Sequence, residues 1–223
     1  MKAVRSCAQC GTEFEPRREH ARFCSAECRI RWNREHLTDA SAEQRALEWS
    51  LAGMRDVTER LALCRPEEDG VVAFSAVAEA VWWVTIIDAR LIRQYMDIYE
   101  TVLAGLDQAQ RSMIEGTLAG LRFVRNQTSS ETISADFISP PAGTKNRGYG
   151  VPAAWRWSHV AESALDDLSD DVQSWERTRY QEYEAWLAGN IVGDVFQRAT
   201  GFLDLAVARV AATATASGLT FTH

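Results

Sequence analysis

The chain has 223 residues, 46% of them apolar and eight of them Trp, which is enough to bury a core and excludes a disordered tail. Its net charge of −7 is uneven: residues 1–37 carry eight Lys/Arg against five Asp/Glu, and the rest is at −10. A basic head on an acidic body allows contact between the head and a polyanion, though +3 is small, and argues against broad wrapping of nucleic acid. No run of 18 apolar residues and no apolar leader before Cys7 are present, so a cytoplasmic protein without membrane contact is expected.

The head holds four of the five cysteines. Cys7 and Cys10 enclose two residues, Cys24 and Cys28 enclose three, and 13 residues lie between the pairs. In a reducing compartment that spacing fits four thiolates around one tetrahedral zinc. Gly11 supplies a residue free to take positive φ behind the second sulfur, and Ser25 is placed to cap a helix carrying Cys28 on its first turn. With every ligand position filled by protein, the metal would be structural, supplying folding free energy to a segment too short to fold alone. Phe14 and Phe23 are its expected small core, and His20 and His36 are expected to be exposed rather than ligands. The Cys-x-x-Cys-Gly and Phe-Cys-Ser pattern over residues 7–29 resembles the short four-Cys zinc ribbons of bacteria, the small gyrase-inhibitor zinc protein among them. Ribbons of that kind bind DNA, RNA or protein.

After the last cysteine come Arg29, Arg31 and Arg34, with Trp32 between them; Arg17, Arg18 and Arg22 lie in the loop between the pairs. Two readings stand: a phosphate-contacting face with an aromatic for stacking, or a solvated helix whose Trp32 packs on the head or the body.

The body is expected to be mainly α: a helical bundle with one extended loop or hairpin. Its boundaries are read as 1–37 for the zinc module, 38–44 for a hinge, 45–216 for the helical domain and 217–223 for a loose tail. Ser41-Ala-Glu-Gln44 reads as a capping box for a helix with Leu47, Leu51, Met54, Val57 and Leu61 on one face, ending near Cys64, a buried free thiol. A long helix from about Phe74 to Leu103 is apolar nearly all round at its middle, interrupted by Asp88 and Arg90. Asp107 caps the next, which runs to about Asn126. From Gln127 to Ser158 the prolines and glycines break the pattern, with Thr132–Ser134 and Phe137-Ile138 extended and Trp155 and Trp157 as packing anchors. Helices resume over about 171–188 and 191–215, separated by the turn signal Gly189-Asn190.

One stretch of the body suggests chemistry. Gly120-Leu-Arg122-Phe-Val-Arg125-Asn126-Gln127 puts two Arg and an Asn at a helix end. With the Ala80–Trp83 helix and Tyr183–Gly189, it resembles the HEPN family, all-α proteins of toxin–antitoxin and phage-defence systems, many of them RNases. The resemblance implies that Arg125 positions a phosphate beside Asn126 and that a His follows within a few residues to assist the 2′-hydroxyl. Here Gln127-Thr-Ser-Ser-Glu131 follows instead, and the next histidine is His159. The alternative is that Arg122, Arg125 and Asn126 pair with Asp88 or Glu79 across a helix interface.

The expectation is therefore a zinc-binding interaction or regulatory protein with a degenerate HEPN-like body, able to dimerise, with an RNA or protein partner ahead of DNA. Its candidate site residues are the four cysteines for metal, Arg29, Arg31, Trp32, Arg34 and Arg122 for nucleic acid, and Arg125, Asn126 and His159 for any catalysis. The alternatives are a metal-independent endoribonuclease and a zinc-ribbon DNA-binding regulator.

Overall fold

The computed structural model describes residues 4–15, 21–36, 40–66, 68–128, 137–140, 154–165 and 170–216. Arg17, Arg18, His20, Thr132–Ser134 and the tail from 217 lie outside these residues, as do the side chains of Arg34 and His36.

The head opens with a two-residue antiparallel ladder, β1 (Arg5–Ser6) with β2 (Glu13–Phe14), Arg5 opposite Phe14. Helix α1 follows (Ala26–His36). The body is mainly α: α2 (Ala40–Leu63), α3 (Gly70–Gln94), α4 (Met96–Ala104), α5 (Gln108–Thr128), α6 (Asp170–Trp186) and α7 (Val192–Ala216). Between α5 and α6 a second small sheet pairs β3 (Ile138–Ser139) with β4 (Arg156–Trp157). The expected helical body with one extended excursion is thus the observed fold.

Three boundaries differ from the sequence reading. Residues 40–44, read as hinge, are the first turns of α2, so Ser41 lies within that helix rather than capping it. Helix α3 starts at Gly70, where Asp69 takes a non-helical conformation. The single long helix read over 74–103 breaks at Tyr95, whose φ of −132° and ψ of 37° leave the helical region before α4 restarts. The capping box at Asp107 is present: its Oδ1 accepts from the Gln110 N–H at 2.8 Å, and Gln110 Oε1 reaches back to the Asp107 N–H at 3.3 Å.

Helix α3 is long and apolar enough, by length and composition, to cross a membrane, although no strictly apolar run of 18 residues exists in it. Here it is the central helix of the bundle, with α2, α5 and α7 against it and α4 and α1 at its C-terminal half. Val77, Val81, Val84, Ile87 and Leu91 face the core, while Trp82 is exposed and Trp83 half-buried over Gly53 of α2.

The most extensive contact is between α5 and α6. A Cβ on Gly120 would meet Leu187 Cδ1 at 2.7 Å and the Tyr183 Cα at 3.0 Å, and one on Gly116 would overlap the Trp186 ring. Two glycines one turn apart therefore let α6 approach the backbone of α5. The excursion closes over this pair through an aromatic cluster. Tyr183 sits 5.5 Å from Phe123, 5.8 Å from Phe137 and 6.2 Å from Trp157, and its hydroxyl donates to the Ser158 carbonyl. Trp155 faces the other way, towards Gly70, so the alternating tryptophans make two different contacts. Cys64 is half-buried rather than buried, its thiol pushed up in pKa by burial and directed at the Arg60 carbonyl.

Candidate metal centre and arginine groove

The ladder and the start of α1 bring the four cysteines together. Gly11 has φ +73° and its N–H donates to the Cys7 carbonyl, turning the chain so that Cys10 faces Cys7. The Ala8 N–H to Arg22 carbonyl bond, at 2.9 Å, joins the two halves of the head. Ser25 caps α1, its Oγ accepting from the Cys28 N–H at 3.2 Å. All four sulfurs lie within 4.8 Å of one another, with Cys10 to Cys24 at 3.6 Å and Cys24 to Cys28 at 3.5 Å. A tetrahedron with metal–sulfur bonds near 2.3 Å has sulfurs about 3.8 Å apart, so the cluster has the size and soft donors to hold such an ion.

Its electrostatics point the same way. Burial pushes the Cys7 thiol up, but N–H donors from Cys24, Cys10 and Gln9 overcome this and bring it down to about 6. Cys24, hydrogen-bonded to the thiols of Cys28, Cys10 and Cys7, is pushed up to about 12. Four adjacent sulfurs cannot all ionise without a cation among them; a bound metal removes that conflict. The rest of the head is thin. Phe23 packs on Trp32 at 5.7 Å, the Arg22 guanidinium covers the Trp32 ring at 4.8 Å, and Phe14 is only half-buried. Trp32 therefore packs within the head, and Arg31 points to solvent.

Helix α1 lies against α3, and the seam between head and body is a groove of about 620 Å³. Five arginines from four helices line it: Arg29 from α1, Arg93 from α3, Arg122 and Arg125 from α5, and Arg179 from α6. Ile30, Ile92 and Met96 form an apolar wall. At its floor Asp88 is 1% exposed, bound by Arg122 through both Nε (2.8 Å) and Nη2, while the Tyr99 hydroxyl donates to its other oxygen at 2.9 Å. Burial holds the Asp88 carboxyl above its ordinary range, with Arg122 and Tyr99 pulling it back. Asn126 Nδ2 and Arg179 Nη1 share Oε1 of the buried Glu176, at 2.7 and 2.6 Å.

Among the described residues no carboxylate pairs with Arg29, Arg93 or Arg125, and all three are exposed. The pairing reading thus holds for Arg122 with Asp88 and fails for Arg125; Glu79 pairs with Arg60 instead. His159 is not brought to the groove. Its Nδ1 sits 2.7 Å from Glu184 Oε2 with the ring 75% exposed, on the part of α6 about 12 Å beyond Glu176 at 1.5 Å per residue. Arg93, Arg179 and Glu176 were not singled out by sequence; Arg93 sits near the end of an apolar helix and the other two in a helix rich in charges, and only the packing of α1, α3, α5 and α6 makes them neighbours.

No family model, no curated protein and no solved structure matches this chain.

Proposed function

We propose that this chain is a non-catalytic RNA-binding protein in which structural zinc, held by Cys7, Cys10, Cys24 and Cys28, fixes α1 as one wall of the arginine groove. The observation that carries this reading is the convergence of Arg29, Arg93 and Arg125, without carboxylate partners among the described residues, on one recess of an otherwise acidic protein. Zinc fits because the donors are four thiolates with no open position, which suits a folding role rather than a reactive one.

A single strand suits the groove better than a duplex. A recess of about 620 Å³ has the dimensions of a small-molecule pocket, too narrow for a double helix, and its Ile30, Ile92 and Met96 wall offers apolar surface to an unstacked base. The body is read as a HEPN-like relative that keeps Arg125 and Asn126 for the phosphate and lacks the general acid–base group, because His159 is engaged by Glu184 elsewhere. Such kinship would make it a partner in a stress or defence system rather than its nuclease.

The test is fluorescence anisotropy with a short single-stranded RNA, run alongside a denaturing gel of the same samples. Three guanidiniums without carboxylate partners among the described residues predict a log–log salt slope near −2, so binding weakens about 20-fold between 50 and 200 mM salt. The RNA should remain intact. Binding equal in wild type and an Arg93→Ala/Arg125→Ala variant contradicts the groove. Cleavage lost in Arg125→Ala supports the endoribonuclease reading instead, and tighter binding to duplex DNA supports the regulator.

A further inference from the structure

Resting on the RNA reading, we infer that the groove takes a terminal phosphate monoester, the end of a strand rather than its middle. The argument is one of charge and shape. Asp88 neutralises Arg122, and Glu176 neutralises Arg179, each carboxylate being buried and hydrogen-bonded to its arginine. Among the described residues that line the recess, Arg29, Arg93 and Arg125 remain as three positive charges without a carboxylate partner.

An internal phosphodiester brings one negative charge, and a recess of this size has room for one or two nucleotides. Two internal phosphodiesters would leave a guanidinium uncompensated. A terminal phosphate carries about −1.5 to −2 at pH 7, and with the next phosphodiester it supplies close to three. It also presents three oxygens to donors arriving from different directions, which suits planar guanidinium forks on three helices better than the two free oxygens of a diester do. The anchoring of the floor is consistent with such a ligand. Arg122 and Arg179 are held in place by Asp88 and Glu176, so their remaining N–H groups are oriented before anything binds. Beside them, Ile92 and Met96 give the terminal base or sugar an apolar surface.

The same chemistry arrives on a strand end or on a free mononucleotide, and the experiment separates them. Anisotropy is measured with one ten-nucleotide single-stranded RNA in four forms: with phosphate or hydroxyl at the 5′ end, and with phosphate or hydroxyl at the 3′ end, the dye always on the opposite end. Adenosine 5′-monophosphate is titrated separately by calorimetry. A terminal phosphate at one end should tighten binding at least tenfold. That gain should vanish in Arg93→Ala/Arg125→Ala and partly return in Arg93→Lys/Arg125→Lys; both positions are exposed, and a matched melting curve confirms that each variant is folded. Equal affinity for all four RNAs overturns the inference and leaves RNA binding standing. Binding of the mononucleotide without binding of any RNA overturns the RNA reading and keeps the phosphate site. Binding of neither overturns both.

Discussion

The head and the body of this chain are stabilised by different physics. The body buries Leu47, Met54, Val84, Ile87, Leu121, Phe123, Tyr183, Phe196 and Leu203 almost completely, so its fold rests on packing. Of the described head residues only Cys7 is buried, and the ladder is two residues long. What organises the head is four sulfurs. The groove lies where these two regimes meet, and Arg29 follows directly on the last of the four cysteines. If the groove binds as proposed, with one wall packed and the other built on four cysteines able to hold a metal, it should respond to changes on either side, but by different routes.

The largest expected effect is on the head alone. Replacing Cys24 by Ala, or stripping metal with a chelator, should abolish amide-exchange protection over residues 4–36 while leaving that of α3, α5 and α7 within error. Simultaneous loss of protection in the body would break the division. The next effect belongs to the body. Gly120→Val should destabilise it by about 3 kcal/mol or more, since α6 must move off α5, with metal content unchanged. Denaturant midpoints and one metal assay on the same samples check this.

At the floor of the groove, Arg122→Met leaves Asp88 buried without its cation and should cost about 3 kcal/mol at neutral pH. The sign of its pH dependence follows from the Asp88 shift. The folded carboxyl already sits above its ordinary value through burial, so the folded state binds the extra proton, and stability falls as pH rises through that window. Without Arg122 the shift grows, and the variant should regain stability as pH is lowered from neutral. Urea unfolding at several pH values measures it, and a flat profile would mean that Asp88 finds another partner. The smallest effect on stability is expected for Arg29→Ala, within about 0.5 kcal/mol as for an exposed residue. Its consequence is in binding, where the salt slope should fall by about 0.7.

Different parts of this molecule were legible in its sequence to different degrees, for physical reasons. The cysteine cluster was legible because metal geometry constrains spacing within a short segment, so local order encodes the contact. The helices of the body were legible from apolar periodicity, and the caps at Ser25 and Asp107 from side chains that satisfy nearby N–H groups. The break at Tyr95 was not, because apolar spacing continues through it and only backbone angles depart. The use of Gly116 and Gly120 appears only when Trp186 and Leu187 are set against them. The groove was half legible. Arg29, Arg122, Arg125 and Asn126 stood out near motifs, whereas Arg93 and Arg179 join them only through tertiary packing, and His159 is held elsewhere by Glu184.

The central claim is that the chelated head and the packed body build one binding site, and the most direct measurement is the affinity of one 5′-phosphorylated single-stranded RNA for metal-loaded and metal-stripped protein, in wild type and in Arg29→Ala. The account predicts that stripping the metal weakens wild type at least to the level of Arg29→Ala and costs that variant little more. Unchanged affinity in the stripped wild type, with the head shown to be unfolded by exchange, would contradict it.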